Sequence, residues 1–454
     1  MKNTFLIILL WCSALSSFAQ QVMPPAGKAY NFSLQDCINY AYQHQDSVKN
    51  AGLDVKNAEY KVKETIGIGL PQINGSASFQ DYLKSPATVG PNFFGGGPIN
   101  PNAPLVQFPF GAVKYSNTYS LQATQLLFNG TFIVGLQASK TYKELSQRSL
   151  IRSKIQINVN VTKAYYQVLV SNEQIRLLDA NLNQLKQQLD QTTQQNKQGF
   201  VEKIDVDRLA FQYNNLSTNR ENTLRSIVLN YQLLKFQMGM SIQEEILLTD
   251  KLEDVNLTQQ PGLDTPDTAS YHNRIEYNLL QTNLKLNQLD VKSKKAAFMP
   301  TLNANGGLST IYQENQWKYL YRHTYPYSYI GLSLNVPIFS GGQRLNQMRE
   351  SQVNVQKAQN DLENAKNGLN LEVSQSRITY VNSLRSLDNQ KQNQQLAQEV
   401  LRVSKIKYQQ GVGSSIEVTQ AQTALDAADN QYIQSLYDAL ISKVDLNKAL
   451  GRIQ

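Results

Sequence analysis

The segment Gln410-Gly411-Val412-Gly413-Ser414-Ser415-Ile416-Glu417-Val418 decides how this chain is interpreted, because it interrupts an otherwise continuous helical pattern. The segment Gln198-Gly199-Phe200-Val201-Glu202-Lys203-Ile204-Asp205-Val206 interrupts an earlier stretch in the same way. In each segment a glycine stands where a helix would end, and an acidic residue stands near the start of the next helix. Apolar residues at steps of three and four resume after both breaks. The two segments therefore predict the tips of helical hairpins.

Proline positions mark out the helices around these tips. None of the 14 prolines lies between Pro109 and Pro261, and none follows Pro337. Since a proline destabilises a helix interior by about 3 kcal/mol, both gaps are free to be helical. The gaps carry the narrow apolar stripe of a coiled coil, at Val161, Tyr165, Val168, Ile175, Leu178, Leu182 and Leu185, and at Leu396, Val400 and Val403. We expect two long helices, over 131–198 and 342–410, and four shorter ones, over 33–70, 200–238, 269–299 and 412–450.

The two halves of the chain repeat one design. Leu127-Phe128-Asn129-Gly130 resembles Ile338-Phe339-Ser340-Gly341. The phenylalanine precedes the tip glycine by 71 residues in the first half and by 72 in the second. An internal duplication of this kind predicts a first structural repeat over 20–239 and a second over 269–454, joined by a connecting segment over 240–268.

Each half also carries two segments with strand-like alternation. Apolar and small or polar residues alternate clearly over 302–309 and 329–338, and more weakly over 72–83 and 115–128. Segments of about ten residues with this pattern are typical of transmembrane β-strands. The alternative is the edge of a soluble β-sandwich. The connections 86–114 and 314–326 are rich in aromatic residues, which favours loops at an outer membrane surface.

Composition and the N-terminus restrict the class of protein. Residues 1–19 have the basic start, apolar centre and small-x-small end of a cleaved signal peptide. Cys12 is a poor candidate for lipidation because the bulky Trp11 precedes it. Two Cys and three His in the whole chain do not favour a metal centre, a metal cofactor or a disulfide framework. The basic residues are interleaved with acidic ones, which predicts solvated helix faces and no nucleic-acid binding.

Geometry limits the possible assemblies. The long helices would each extend roughly 100 Å at ~1.5 Å per residue. Four strands cannot close a β-barrel, so the open edges must pair with other copies. Two copies give eight strands, and a barrel of that size is filled by its own side chains. Three copies give twelve strands, and we favour three.

These features resemble the outer membrane efflux protein (TolC-like) family over nearly all of the mature chain. The resemblance is carried by the opening Phe32-Ser33-Leu34-Gln35-Asp36-Cys37-Ile38, by both tips and by the stretch from Tyr408 to Gln422. It implies an α+β membrane protein, a long antiparallel coiled-coil α-barrel below a trimeric 12-stranded outer-membrane β-barrel. It also implies a homotrimer in outer-membrane lipid that docks to a periplasmic adaptor and an inner-membrane pump.

The resemblance further implies a gate near the tips. Asp205 and Tyr408 align with an Asp and a Tyr that bond to each other and hold the pore shut. An Arg that strengthens this lock aligns with Gly413, so this chain departs from the pattern there. Two acidic rings align with Glu417 and Gln420, of which only Glu417 keeps its charge. Alternatively, Asp205 and Glu417 simply complement helix N-termini.

The tip residues themselves are candidates for adaptor contact, because exposed apolar side chains at the end of a helical hairpin usually mark a partner site. They are Gly199, Phe200, Val201, Gly411, Val412 and Gly413. Packing between neighbouring tips is the alternative interpretation of these residues.

No catalytic set emerges from the His, Ser and Cys residues, so we expect a passage with a gate rather than an enzyme. The leading hypothesis is the outer-membrane channel of a tripartite efflux or type I secretion system. The alternative is a non-conducting, periplasm-spanning coiled-coil scaffold or adhesin. The sequence does not name the cargo, the adaptor or the pump.

Overall fold

The computed structural model describes residues 30–84, 88–90, 106–108, 113–252, 255, 257 and 270–453. The expected signal peptide over 1–19, including Cys12, lies outside the described residues. Most of the aromatic-rich connection 86–114 and the second half of the segment 240–268 also lie outside them.

The described residues form seven α-helices and three β-sheets, which confirms the expected α+β class. The helices are α1 (Leu34–His44), α2 (Asp46–Ile68), α3 (Gly130–Lys197), α4 (Lys203–Met238), α5 (Ile275–Ala296), α6 (Gln343–Gln409) and α7 (Ser415–Ala449). The long helices α3 and α6 begin and end within one residue of the bounds expected from the proline gaps. No helix among the described residues is both long enough and apolar enough to cross a membrane.

The single helix expected over 33–70 is wrong, because the chain breaks into α1 and α2 at Gln45. Gln45 is extended, with φ −69° and ψ 125°. Gly239, at the C-terminus of α4, has φ +71°, and a Cβ there would lie 2.7 Å from the Cα of Gln45. Only glycine permits this close approach. The helix expected over 269–299 also starts later, since a 3₁₀ turn at Ser270–Asn273 precedes α5.

The structure divides into two compact units. A helical unit comprises Met1–Ala51, Ile151–Arg274 and Gly368–Gln454. A sheet unit comprises Gly52–Leu150 and Ile275–Asn367. Both long helices contribute residues to both units.

The core of the helical unit uses most of the predicted apolar stripe. Leu178 and Leu185 of α3 pack against Leu209 and Leu216 of α4. Further along the unit, Val170 packs with Ile433, Leu436 and Leu440 of α7. These contacts align α3, α4 and α7 side by side.

The apolar stripe predicted on α6 lies on an exposed face of the single chain. Leu396 is 64% exposed, and Val400 and Val403 are exposed as well. Leu401 is buried instead, at 2% exposure, and packs with Val418, Ala421 and Leu425 of α7. Five residues correspond to about 140° around a helix. The face of α6 that α7 covers is therefore far from the predicted one.

The sheet unit contains a four-stranded antiparallel sheet. Its strands are β2 (Gln72–Asp81), β5 (Tyr115–Asn129), β7 (Thr301–Glu314) and β8 (Tyr325–Asn335), and they lie side by side in the order β2-β5-β7-β8. All four expected strands are present. β5 pairs with β7 from Tyr115↔Glu314 to Asn129↔Thr301, with a bulge between Leu126 and Phe128. This pairing joins strands from the two halves of the sequence.

Two small sheets were not expected. β1 (Tyr30–Phe32) pairs in parallel with β6 (Ile246–Leu248), which lies in the connecting segment. β3 (Thr88–Gly90) pairs antiparallel with β4 (Val106–Phe108), within the connection between β2 and β5. Strands of three residues have too little alternation to stand out in a sequence.

Candidate functional site

The two hairpin tips form as the glycine pattern predicts. Gly199 has φ +80° and Gly411 has φ +76°. In the first tip the Phe200 N–H donates to the Gln195 carbonyl at 2.9 Å, and in the second the Val412 N–H donates to the Lys407 carbonyl at 3.0 Å. These bonds close the last helical turn through a left-handed residue, which glycine adopts without strain. Both helices therefore end at a defined residue.

Asp205 connects the two hairpins. It lies in the first turn of α4, and its carboxylate accepts a hydrogen bond from the Ser415 hydroxyl. Ser415 is the first residue of α7. Arg208, one turn further along α4, donates to the same carboxylate oxygen at 3.4 Å and lies 3.5 Å from the Ser415 hydroxyl. We call Asp205, Arg208 and Ser415 the hairpin latch.

The hydrogen bond expected between Asp205 and Tyr408 is not present. The Tyr408 hydroxyl is buried and has no hydrogen-bond partner among the described residues. Burial, and then the charge of Asp205, raises the pKa of Tyr408. The two side chains are thus close enough to interact electrostatically, but the Ser415 hydroxyl takes the position at the carboxylate.

Gly413, which aligns with the arginine expected from the resemblance, has little room for a side chain in this structure. A Cβ at Gly413 would lie 2.9 Å from the Lys407 Cβ and 3.0 Å from the Tyr408 nitrogen. The second of these is a backbone atom, which cannot move aside easily. A cation reaches Asp205 from α4 instead, through Arg208. Sequence analysis missed Arg208 and Ser415. The spacing of three residues between Asp205 and Arg208 was the available signal.

Glu417 and Gln420 lie apart from the latch. Both are exposed in the first two turns of α7. The Glu417 N–H donates to the hydroxyl of Ser414, which caps the helix, at 3.2 Å. A carboxylate at this position is favoured by the helix dipole whatever else it does. Residues three apart share one face of a helix, so the two side chains lie on one side of α7.

Two of the three apolar tip residues are exposed as expected. Phe200 is 78% exposed and Val412 is 75% exposed, whereas Val201 is half-buried. Above them, a cavity of about 680 Å³ lies between the ends of α3 and α6. Its lining includes the glutamines 184, 187, 188, 191 and 195 together with Lys405 and Tyr408. Burial lowers the pKa of Lys405 to about 8.

A second polar cluster, which the sequence analysis did not find, lies deeper in the helical unit. The Asn181 amide donates to Asp429 at 2.6 Å, and the Gln394 amide donates to the other Asp429 oxygen at 2.8 Å. Asp426 accepts from the Gln422 amide at 3.1 Å. Burial is the main cause that raises the pKa of Asp426 to about 6, and the charge of Asp429 adds to it. Asp429 and Gln394 of this cluster are buried, whereas Asp426 is half-buried and lines a cavity beside α4.

Comparison with known proteins identifies the family. The profile described as "Outer membrane efflux protein" matches residues 37–226 and 279–452. The chain is 26% identical to outer membrane protein TolC of Salmonella enteritidis over 77% of its length and 74% of that protein. It is 23% identical to the probable efflux pump outer membrane protein TtgC of Pseudomonas putida, over 74% of the chain and 69% of TtgC.

A search of solved structures agrees on the fold. The structure of CusC superposes with a TM-score of 0.75 at 16% identity, covering 95% of each chain. The resemblance inferred from the sequence is confirmed, and so are the outer-membrane location with its periplasmic extension and the channel function in efflux or type I secretion. The scaffold alternative finds no support among these relatives. This chain belongs to the outer membrane efflux protein family.

Proposed function

We propose that three copies of this chain assemble into a gated export duct. The observation that supports it most directly is a four-stranded sheet with two open edges, since β2 and β8 each have one hydrogen-bonded neighbour. Unpaired backbone N–H and C=O groups are not tolerated in the hydrocarbon of a membrane. Pairing β8 of one copy with β2 of the next satisfies both edges. Three copies give twelve strands and an open lumen, whereas an eight-stranded barrel is filled by its own side chains.

The exposed apolar stripe on α6 supports an assembly of several copies. Leu396, Val400 and Val403 follow the i, i+4, i+7 spacing of a coiled-coil seam and are all exposed in the single chain. An exposed apolar stripe with this spacing is typical of a helix face that packs against a second helix. In the trimer this stripe packs on a neighbouring copy.

The gate of the duct is the hairpin latch. Asp205 on the first hairpin and Ser415 on the second hold the two tips together, and Arg208 neutralises the carboxylate. Opening separates the hairpins and breaks these contacts. Tyr408, whose hydroxyl has no hydrogen-bond partner among the described residues, is the alternative donor to Asp205 in another state of the tips.

Below the latch, Glu417 and Gln420 line the narrow end of the duct. Three copies of Glu417 around a pore place three carboxylates close together and favour cations. Gln420 contributes amide groups without charge.

The tips are the surface that contacts a periplasmic adaptor. Phe200 and Val412 present apolar side chains to solvent at the ends of the two hairpins. A periplasmic adaptor with an apolar hairpin of its own covers them, and an inner-membrane pump completes the path for the cargo. The relative TtgC, named as the outer membrane protein of an efflux pump, is consistent with such an arrangement.

The first experiment is the oligomeric mass of the signal-cleaved protein extracted in detergent from outer membranes, measured by light scattering with the detergent contribution subtracted. We expect three times the subunit mass. The same preparation, reconstituted in planar lipid bilayers, should conduct ions. A monomer that does not conduct would contradict the duct and restore the scaffold interpretation.

A further inference from the structure

The four-stranded sheet has two chemically different faces. Residues paired across neighbouring strands lie on the same face, and the face alternates with each residue along a strand. The registers Ser76↔Ser120, Ser120↔Ser309 and Ser309↔Tyr327 therefore place one row of hydroxyl groups across all four strands. Rows two residues away on either side belong to this face as well. We call it the hydroxyl face.

The hydroxyl face carries no charged side chain among its described residues. Its members are Gln72, Asn74, Ser76, Ser78 and Gln80 on β2, Ser116, Thr118, Ser120, Gln122, Thr124 and Leu126 on β5, Thr301, Asn303, Asn305, Gly307, Ser309, Ile311 and Gln313 on β7, and Tyr325, Tyr327, Tyr329, Gly331, Ser333 and Asn335 on β8. The charged residues of these strands, Asp81 and Glu314, pair through Tyr115 and lie on the opposite face. The hydroxyl face therefore has no charged side chain, among its described residues, that would attract ions.

A ladder of aromatic rings runs along one edge of the hydroxyl face. Tyr325, Tyr327 and Tyr329 alternate along β8, and all three are exposed. At the strand rise, successive rings are about 6.6 Å apart. A linear molecule moving along the first five residues of β8 thus passes three rings in succession.

The ring of Tyr329, the last of the ladder, occupies the space above Gly307. A Cβ on Gly307 would lie 2.5 Å from the Cε1 of Tyr329 and 2.9 Å from its Cζ. The ring therefore lies over the Gly307 backbone, in the volume that any other residue would fill. One ring face is supported by the sheet, and Tyr329 remains 46% exposed. An aromatic ring held against a glycine in this way is a platform for stacking.

Hydroxyl and amide groups extend across the hydroxyl face from the ladder and are hydrogen-bonded to one another. The Asn305 amide of β7 donates to the Ser333 hydroxyl of β8 at 2.9 Å, and on the two far strands Ser76 and Ser120 form a hydrogen bond of 2.7 Å. Such groups both donate and accept, so they can exchange hydrogen bonds with a ligand rich in hydroxyls. The electron-rich face of an aromatic ring attracts the C–H groups of a sugar ring. Aromatic faces beside neutral hydroxyls and amides are the combination that carbohydrate recognition requires.

We propose that the hydroxyl face binds neutral, linear oligosaccharides during their passage through the duct. The inference rests on the proposed function, since only a closed barrel with its polar face inward turns the ladder toward the lumen. A face without carboxylates does not neutralise a cationic amphiphile, and one without Lys or Arg does not bind an anion. The cargo class whose chemistry matches the rings, hydroxyls and amides of this face is a neutral polyhydroxylated chain.

The test uses the full signal-cleaved protein in planar lipid bilayers, with maltoheptaose as the probe. Adding the sugar should reduce the ion current in a saturable manner. In the variant Tyr325→Ser/Tyr327→Ser/Tyr329→Ser the current without sugar should persist, while the sugar concentration for half-maximal block should rise about tenfold or more, the change expected for losing roughly 1.4 kcal/mol of stacking. The matched variant with Phe at all three positions keeps the ring faces and should retain the block.

A second measurement guards against variants that assemble poorly. Maltoheptaose binding to the detergent-solubilised protein is measured by equilibrium dialysis, after its oligomeric mass has been verified. Current that maltoheptaose does not reduce, or reduces equally in the Ser variant, overturns the proposal and leaves the duct intact. Block by a cationic aromatic dye without block by the sugar also overturns it. A protein that conducts no current in any form refutes the proposed function, and the sugar passage with it.

Discussion

The hairpin latch makes a sharp prediction at Ser415. Replacing Ser415 with Ala removes the hydroxyl that donates to Asp205 and leaves the carboxylate with Arg208 alone. A hydrogen bond to a charged group stabilises by about 1.5–3 kcal/mol. The remaining pair between Arg208 and Asp205 is partly exposed and long, so it contributes about 1 kcal/mol or less. Since 1.4 kcal/mol corresponds to a factor of about ten, Ser415→Ala should lower the ratio of closed to open tips about tenfold per copy.

The assay is single-channel recording in planar lipid bilayers, scored as the fraction of time each trimer spends open. Ser415→Thr keeps a hydroxyl and should behave as the unchanged protein. Ser414→Ala is the matched control, because it removes the neighbouring helix cap and spares the bond to Asp205. The latch would be refuted if channels with Tyr408→Phe opened more often while channels with Ser415→Ala stayed closed. That result would instead support the hydrogen bond between Tyr408 and Asp205.

Three further predictions concern other parts of the helical unit. Burial raises the pKa of Asp426 to about 6, so the folded protein holds a proton that the unfolded chain has released, and the free energy of unfolding should fall as the pH rises from about 4 to about 6. Asp426→Asn should abolish this dependence. At about pH 7.5 it should raise the free energy of unfolding by roughly 1–2 kcal/mol, and the melting temperature with it. A pH profile of the melting temperature that the substitution leaves unaltered would contradict this prediction. Gly413→Ala places a Cβ against the end of α6 and should lower stability by about 1–3 kcal/mol in chemical denaturation, whereas Gly52→Ala, with open space around it, should not destabilise. Phe200→Asp with Val412→Asp should weaken co-purification of the native periplasmic adaptor while bilayer conductance stays the same, and undiminished co-purification would place the contact elsewhere.

Local physical chemistry explains why much of the fold is readable from the chain. Helix ends at Gly199 and Gly411 follow from the left-handed conformation that glycine adopts there. The bounds of α3 and α6 follow from uninterrupted stretches without proline. The alternation over β7 and β8 follows from the two-residue period of a strand. Each of these properties depends on residues that are neighbours in the sequence.

The differences from expectation involve contacts between segments that are distant in the sequence. The break at Gln45 lies directly against Gly239, which is far away in the chain. Leu401 is buried in place of Leu396 because α7 covers that side of α6. A pattern of three and four residues predicts that a helix has an apolar face, but not which of two candidate faces meets a partner.

The sequence by itself determined the elements, the internal repeat and the family of this protein, since periodicity, glycine and proline act over a few residues. The tertiary structure decided which side chains meet. It brought Ser415 to Asp205 across two hairpins and laid Tyr329 over Gly307. It also left the Tyr408 hydroxyl without a hydrogen-bond partner in the part of the chain that the structure describes. These contacts join residues that are distant in sequence or depend on strand register. They are selected by packing and by competition for the same acceptor, and no local pattern encodes either.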